Sequence, residues 1–227
     1  MGQNSCVSFE RRTVLRDSLS VAIPVGIYGA AFGAAAVAGG FSVAQACVLS
    51  LLLFSGASQF AVVGVMAGGG TPLSAIATGA LLGIRNGLYG LRMAPILKLS
   101  GFKRFLGAQI TIDESTGVAL SQEERGKEAM RYGFYATGIG VFIFWNLFTL
   151  IGALGANSIG DPSSWGLDAA VPAAFLGLVW PRLIDRKARI AALSSIFLAL
   201  ALTPFLGAGL PIITTVIVAL VIGWRAS

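Results

Sequence analysis

Histidine is absent from this chain of 227 residues, which excludes His-liganded metal sites and imidazole general bases at once. Cysteine is scarce: Cys6 and Cys47 are too few and too differently placed for a disulfide framework. No P-loop is present, so ATP hydrolysis by that route is excluded. Charge is the most informative shortage. Only 11% of residues are charged, against about 25% in soluble domains. Half the usual charge cannot cover a soluble surface, so a bilayer must solvate much of the chain.

What is present agrees. The chain is 56% hydrophobic, with a mean hydropathy of +0.81. Several stretches approach the length of a membrane span, and none shows the alternating pattern of a transmembrane barrel. The expected fold is an all-α polytopic membrane protein with about six to eight transmembrane segments, some broken or re-entrant, and with cytoplasmic N- and C-termini. The formal charge of +6 comes from short basic clusters beside apolar segments, which mark orientation rather than nucleic-acid binding. Residues 1–13 read as a cytosolic tail rather than a signal peptide. MGQNSC misses an N-myristoylation motif, because Cys6 stands where Ser or Thr is needed.

The apolar segments run Val14 to Ala38, Ala44 to Ala67 (interrupted by SGASQ, Ser55 to Gln59), Leu73 to Leu97, and a marginal fourth from Phe105 to Leu120. Segment five is Tyr132 to Leu154 and segment six is Ala169 to Ile184. Two short ones follow, Ile190 to Phe205 and Leu210 to Trp224. Residues 14–227 form one transmembrane domain, with 14–120 and 129–227 as conceivable halves of an internal repeat.

Arg11, Arg12 and Arg16 place the N-terminus inside. The clusters at Arg125, Lys127 and Arg131, and at Arg182, Arg186, Lys187 and Arg189, place their loops there too. One loop disagrees: eight complete crossings would put Lys98, Lys103 and Arg104 outside. A re-entrant or broken segment three or four removes the conflict.

Leu81 to Pro95, LLGIRNGLYGLRMAP, places Arg85 and Asn86 between Gly83 and Gly87 in an apolar context. Ionisable groups at that depth are costly and usually face a cavity, a partner or a substrate. Two further polar interruptions accompany it, SGASQF at Ser55 to Phe60 and QITIDES at Gln109 to Ser115. Opened helix ends offer free N–H groups to a carboxylate and free carbonyls to a cation. The candidate substrate-binding residues are Ser58, Gln59, Arg85, Asn86 and Tyr89, with Asp113 and Glu114 for an ammonium group or proton coupling. Phe54, Phe60 and Leu88 are candidates to receive an aliphatic side chain. Plain readings stand beside these. Arg85 pairs internally with Asp113 or Glu114, Gln59 and Asn86 serve as interhelical hydrogen-bond glue, and Asp168 caps segment six. Trp145, Trp165, Trp180 and Trp224 read as interface anchors or packing. Glycine pairs four apart, such as Gly29 and Gly33, arise readily by chance among 30 glycines. GASQ is similar to the nucleophile context of intramembrane serine proteases, but without a histidine base that reading fails. No catalytic residue, metal ligand or cofactor is implied.

SGASQF, RNGLYG, IDE at Ile112 to Glu114, and GLDAAVPAAF at Gly166 to Phe175 occur in an order that resembles the AzlC family, from about Asp17 to Trp224. These are large subunits of bacterial branched-chain amino-acid exporters. The family often has Thr-Asp in the acidic motif, where this chain has Thr111, Ile112, Asp113 and Glu114. The resemblance implies export of valine, leucine and isoleucine, and sometimes methionine, across the bacterial cytoplasmic membrane. It also implies a small AzlD-type membrane subunit as partner. Asp113 and Glu114 are the candidates for coupling export to the proton gradient. The alternative is a channel or structural membrane subunit whose buried polar residues serve packing and assembly.

Overall fold

A computed structural model describes residues 10–158, 173, 176–177, 179–180 and 183–224. Trp165, Asp168 and most of segment six lie outside the described residues. Those described are helical, with no strand among them. We label the helices α1 (Arg11–Ala38), α2 (Val43–Leu52), α3 (Gly56–Ala67), α4 (Pro72–Leu97), α5 (Gly101–Gln109), α6 (Asp113–Ser121), α7 (Lys127–Ser158), α8 (Arg186–Leu202), α9 (Leu210–Thr214) and α10 (Val216–Trp224), with a 3₁₀ turn at Glu123–Arg125.

Helices α1 and α7 are long and apolar enough to cross a membrane. They run in the same direction in close contact. A methyl group on Gly29 would lie 2.5 Å from the Trp145 carbonyl oxygen, and one on Gly33 or Gly152 would strike the backbone of Thr149 or Ala30. Small residues let the two backbones approach, which is how helices associate where lipid offers no hydrophobic drive. The Gly29–Gly33 spacing, unremarkable in sequence, is this contact.

Between them the chain makes two helical hairpins that dip in from opposite ends. The first is α2–α3. At the far end of α1, a methyl on Gly39 would sit 3.4 Å from the Ala67 side chain at the end of α3. Helix α2 therefore turns back along α1 and α3 returns beside it, with Phe32 and Phe60 in ring contact at 5.5 Å. The tip, Leu53 to Ser55, reaches the middle of α7, where Phe54 packs on Phe142 at 5.0 Å.

The second hairpin, α5–α6, enters from the other end. Helix α4 closes at Lys98 in the left-handed conformation (φ 52°, ψ 43°), and Arg131 at the start of α7 donates Nε–H to the Ile96 carbonyl at 2.7 Å. Helix α5 climbs to a tip at Ile110 to Ile112, which packs by Gly138. Helix α6 then descends to Gln122, whose Nε2 donates to Asp17 at 3.3 Å. Arg125 bonds to the same carboxylate at 3.4 Å.

Breaks thus fall in segments two and four. The expectation of a break at Arg85 is corrected: α4 is one continuous helix of 26 residues. Gly83 and Gly87 weaken a helix by about 1 kcal/mol each relative to alanine, too little to open α4 at that point. The second-segment break lies at Leu53 to Ser55, so Gln59 sits inside α3. In segment four the β-branched run Ile110, Thr111, Ile112 interrupts the helix, consistent with its poor helix propensity.

Candidate functional site

The two hairpin tips enclose a mid-depth cavity of about 350 Å³ against α1, α4 and α7. Its wall is mainly apolar: Pro24 and Val25 from α1, Phe54 and Ile112 from the tips, Val141 and Trp145 from α7, with Tyr28 alongside. Pro24 has no N–H for the helix ladder, so α1 is locally weakened where it faces the hollow.

The charged part comes from α4 and α6. Arg85 reaches in from α4, and Asp113 and Glu114 from the first turn of α6. Arg85 Nη1 lies 3.3 Å from Asp113 Oδ2, with both side chains about one-quarter exposed (27% and 24%). Arg85 Nε is buried without a protein partner. The two carboxylates also gain from the positive end of α6. Removing Asp113 would take from Arg85 the carboxylate it is bonded to.

The N-termini of α3 and α6 both open at this cavity. Their needs are met differently. In α6, Ser115 Oγ accepts from the Ile112 amide at 3.1 Å, and acids occupy the first turn. In α3, no side chain caps the helix and no acid is in the first turn. Ser55, Gly56 and Ala57 line the hollow.

Not all candidates converge. Gln59 is fully buried and works as a bolt: its Nε2 donates to the Leu53 carbonyl at 2.7 Å, while Trp145 donates Nε1–H to its Oε1 at 2.9 Å. That is the hydrogen-bond role sequence allowed, and Gln59 is not among the residues lining the cavity. Ser58 is buried against Gly83. Asn86 lines a neighbouring hollow of about 260 Å³ with Leu53, Gly83 and Gln109, and its Oδ1 is buried without a partner. Tyr89, half-buried one turn beyond Arg85, lines neither hollow. Phe60 lies in the core, 5.8 Å from the Tyr28 ring, and Leu88 faces outward at 61% exposure. Of the aliphatic receivers, only Phe54 lines the cavity.

Sequence reasoning missed Ser55, Tyr28 and the cavity role of Trp145. The signal for Ser55 was available: Ser-Gly after an apolar run is a helix start, with serine in the N-cap position. Nothing local in sequence distinguishes a cavity-wall tryptophan from an interface anchor.

Comparison with known proteins agrees with this architecture. The family model described as AzlC protein matches residues 20–159. An uncharacterized membrane protein of Archaeoglobus fulgidus is 34% identical over 174 residues, covering 75% of this chain and 74% of that protein. No solved structure matches. The matched region contains both hairpins, Arg85 and the acidic pair, and the chain is a helical membrane protein that belongs to the AzlC family.

Proposed function

We propose that the protein is a secondary transporter that exports branched-chain amino acids (valine, leucine and isoleucine, with methionine as a further substrate). It acts across the bacterial cytoplasmic membrane with a small AzlD-type subunit. The observation that carries this reading is the mid-depth cavity itself. An apolar wall suits a branched aliphatic side chain, and a compact polar region holding both charge signs suits a zwitterion. Family membership supports the substrate class and partner, and the acidic pair beside Arg85 supports proton coupling. Protonation of Asp113 would release Arg85 from its ion pair, linking proton movement to charge at the cavity.

The two hairpins support a topology of six crossings, with both termini cytoplasmic. If α2–α3 enters from outside and α5–α6 from inside, then α1, α4 and α7 cross once each. Lys98, Lys103 and Arg104 then join Arg125, Lys127 and Arg131 on the cytoplasmic side, as positive charge requires. Segment four alone as a hairpin would leave the conflict standing; the pair removes it.

A second reading, a channel or structural subunit, draws on the Arg85–Asp113 ion pair, which also serves helix packing. Valine efflux from preloaded cells separates them. Saturable efflux that responds to the proton gradient supports the transporter; non-saturable flux or none supports the alternative.

A further inference from the structure

We infer that the N-terminus of α3, with the hydroxyl of Ser55, is the seat of the substrate's carboxylate. This rests on the transport reading above and specifies which atoms hold the charged head.

Two independent observations converge. Helix α3 has 12 residues, and the amides of Gly56, Ala57 and Ser58 are in the first turn, where an α-helix supplies no internal acceptor. Such an end attracts anions through its free N–H groups and its positive dipole. Ser55 occupies the N-cap position with extended backbone (φ −157°, ψ 104°), yet its side chain makes no cap hydrogen bond. It is 5% exposed, lines the cavity, and its Oγ has no hydrogen-bond partner. A buried hydroxyl without a partner is costly, and here the cavity offers space for one. A carboxylate at this point would accept from Ser55 Oγ and from the amides that follow it.

The same wall accounts for glycine at 56. A methyl there would lie 3.0 Å from the Trp145 ring, so the indole packs directly against the helix start. Asp113 already engages Arg85, whereas the α3 end presents its donors to the cavity with no acid in its own first turn. The ammonium group faces the side of the hollow lined by Asp113 and Glu114, and the aliphatic chain lies along Phe54, Ile112 and Val141.

The test is binding to the full-length protein in lipid nanodiscs, using three probes: L-leucine, 3-methylbutylamine (no carboxylate) and 4-methylpentanoate (no ammonium). A hydrogen bond to a charged group is worth enough that Ser55→Ala should weaken L-leucine about tenfold or more. It should weaken 4-methylpentanoate similarly and leave 3-methylbutylamine unchanged. Ser55→Thr, which keeps the hydroxyl, should bind L-leucine within a few-fold of wild type and guards against misfolding of the alanine variant. Wild-type affinity for L-leucine in folded Ser55→Ala, or an equal loss for the amine, overturns the seat while leaving transport intact. Failure of the wild-type protein to bind L-leucine overturns both.

Discussion

Gln109, the last residue of α5, donates its side-chain amide to the Leu51 carbonyl at 2.9 Å and approaches the Leu52 carbonyl at 3.3 Å. These are end carbonyls of α2, which receive no N–H donor from within their own helix. One hairpin tip thus satisfies the backbone of the other. Gln109→Ala should lower the thermal unfolding midpoint in detergent, with a loss of about 1 kcal/mol. Gln109→Glu should do the same, because a carboxylate has no proton to give those carbonyls. An unchanged midpoint in both variants would show that the tips do not depend on this tie.

Gln59 joins three elements through one amide, and its loss should be felt in stability before binding. Gln59→Leu strands the Trp145 Nε1–H and the Leu53 carbonyl in the core, at a cost of about 2–4 kcal/mol. Thermal unfolding of the purified protein checks it. A stable variant with impaired valine binding would instead make Gln59 a substrate contact.

The α1–α7 contact separates glycines that matter from those that do not. Gly29→Val drives a branched side chain into the Trp145 backbone and should abolish folded protein, beyond the 1–3 kcal/mol typical of overpacking. Gly155→Ala on α7, with open space around it, should be neutral or gain up to about 1 kcal/mol. Expression and monodispersity by size-exclusion chromatography read both.

Hairpin topology makes a sidedness prediction. In a background lacking Cys6 and Cys47, Ala44→Cys and Leu73→Cys should react with an impermeant maleimide from outside, and Ser100→Cys from the cytoplasm. Eight complete crossings predict the reverse for Leu73 and Ser100.

The helical membrane class was legible from charge scarcity and long apolar runs, and the helix at Tyr132 to Leu154 needed only extension at both ends. Arg85, Asp113 and Glu114 were legible as well, because charge in an apolar context is a signal carried by each residue alone. The position of the breaks was harder. Gly83 and Gly87 flank the most conspicuous charge, yet α4 continues through them, while the actual openings lie where another segment supplies hydrogen bonds. Gln109 and Leu51 are distant in sequence, and nothing local links them. Ser55 was legible as a helix start, but the cavity it lines is completed by Trp145 and Arg85 from distant segments, which nothing local to Ser55 announces.

If Asp113 carries the coupling proton, Asp113→Asn should still exchange external for internal labelled valine but lose acceleration by an inward proton gradient. Exchange and net efflux in proteoliposomes, measured in parallel, distinguish this from general inactivation. Gradient-driven efflux at the wild-type rate would remove Asp113 from coupling.

The most direct test of the central claim is valine efflux from loaded cells expressing wild type, Arg85→Ala or Arg85→Lys at matched membrane levels. Saturable efflux by wild type, its loss in folded Arg85→Ala and a partial return in Arg85→Lys are the expected results. Arg85→Lys keeps the charge but not the planar guanidinium. Wild-type efflux from a folded Arg85→Ala protein would contradict a transport route through this cavity's charged region.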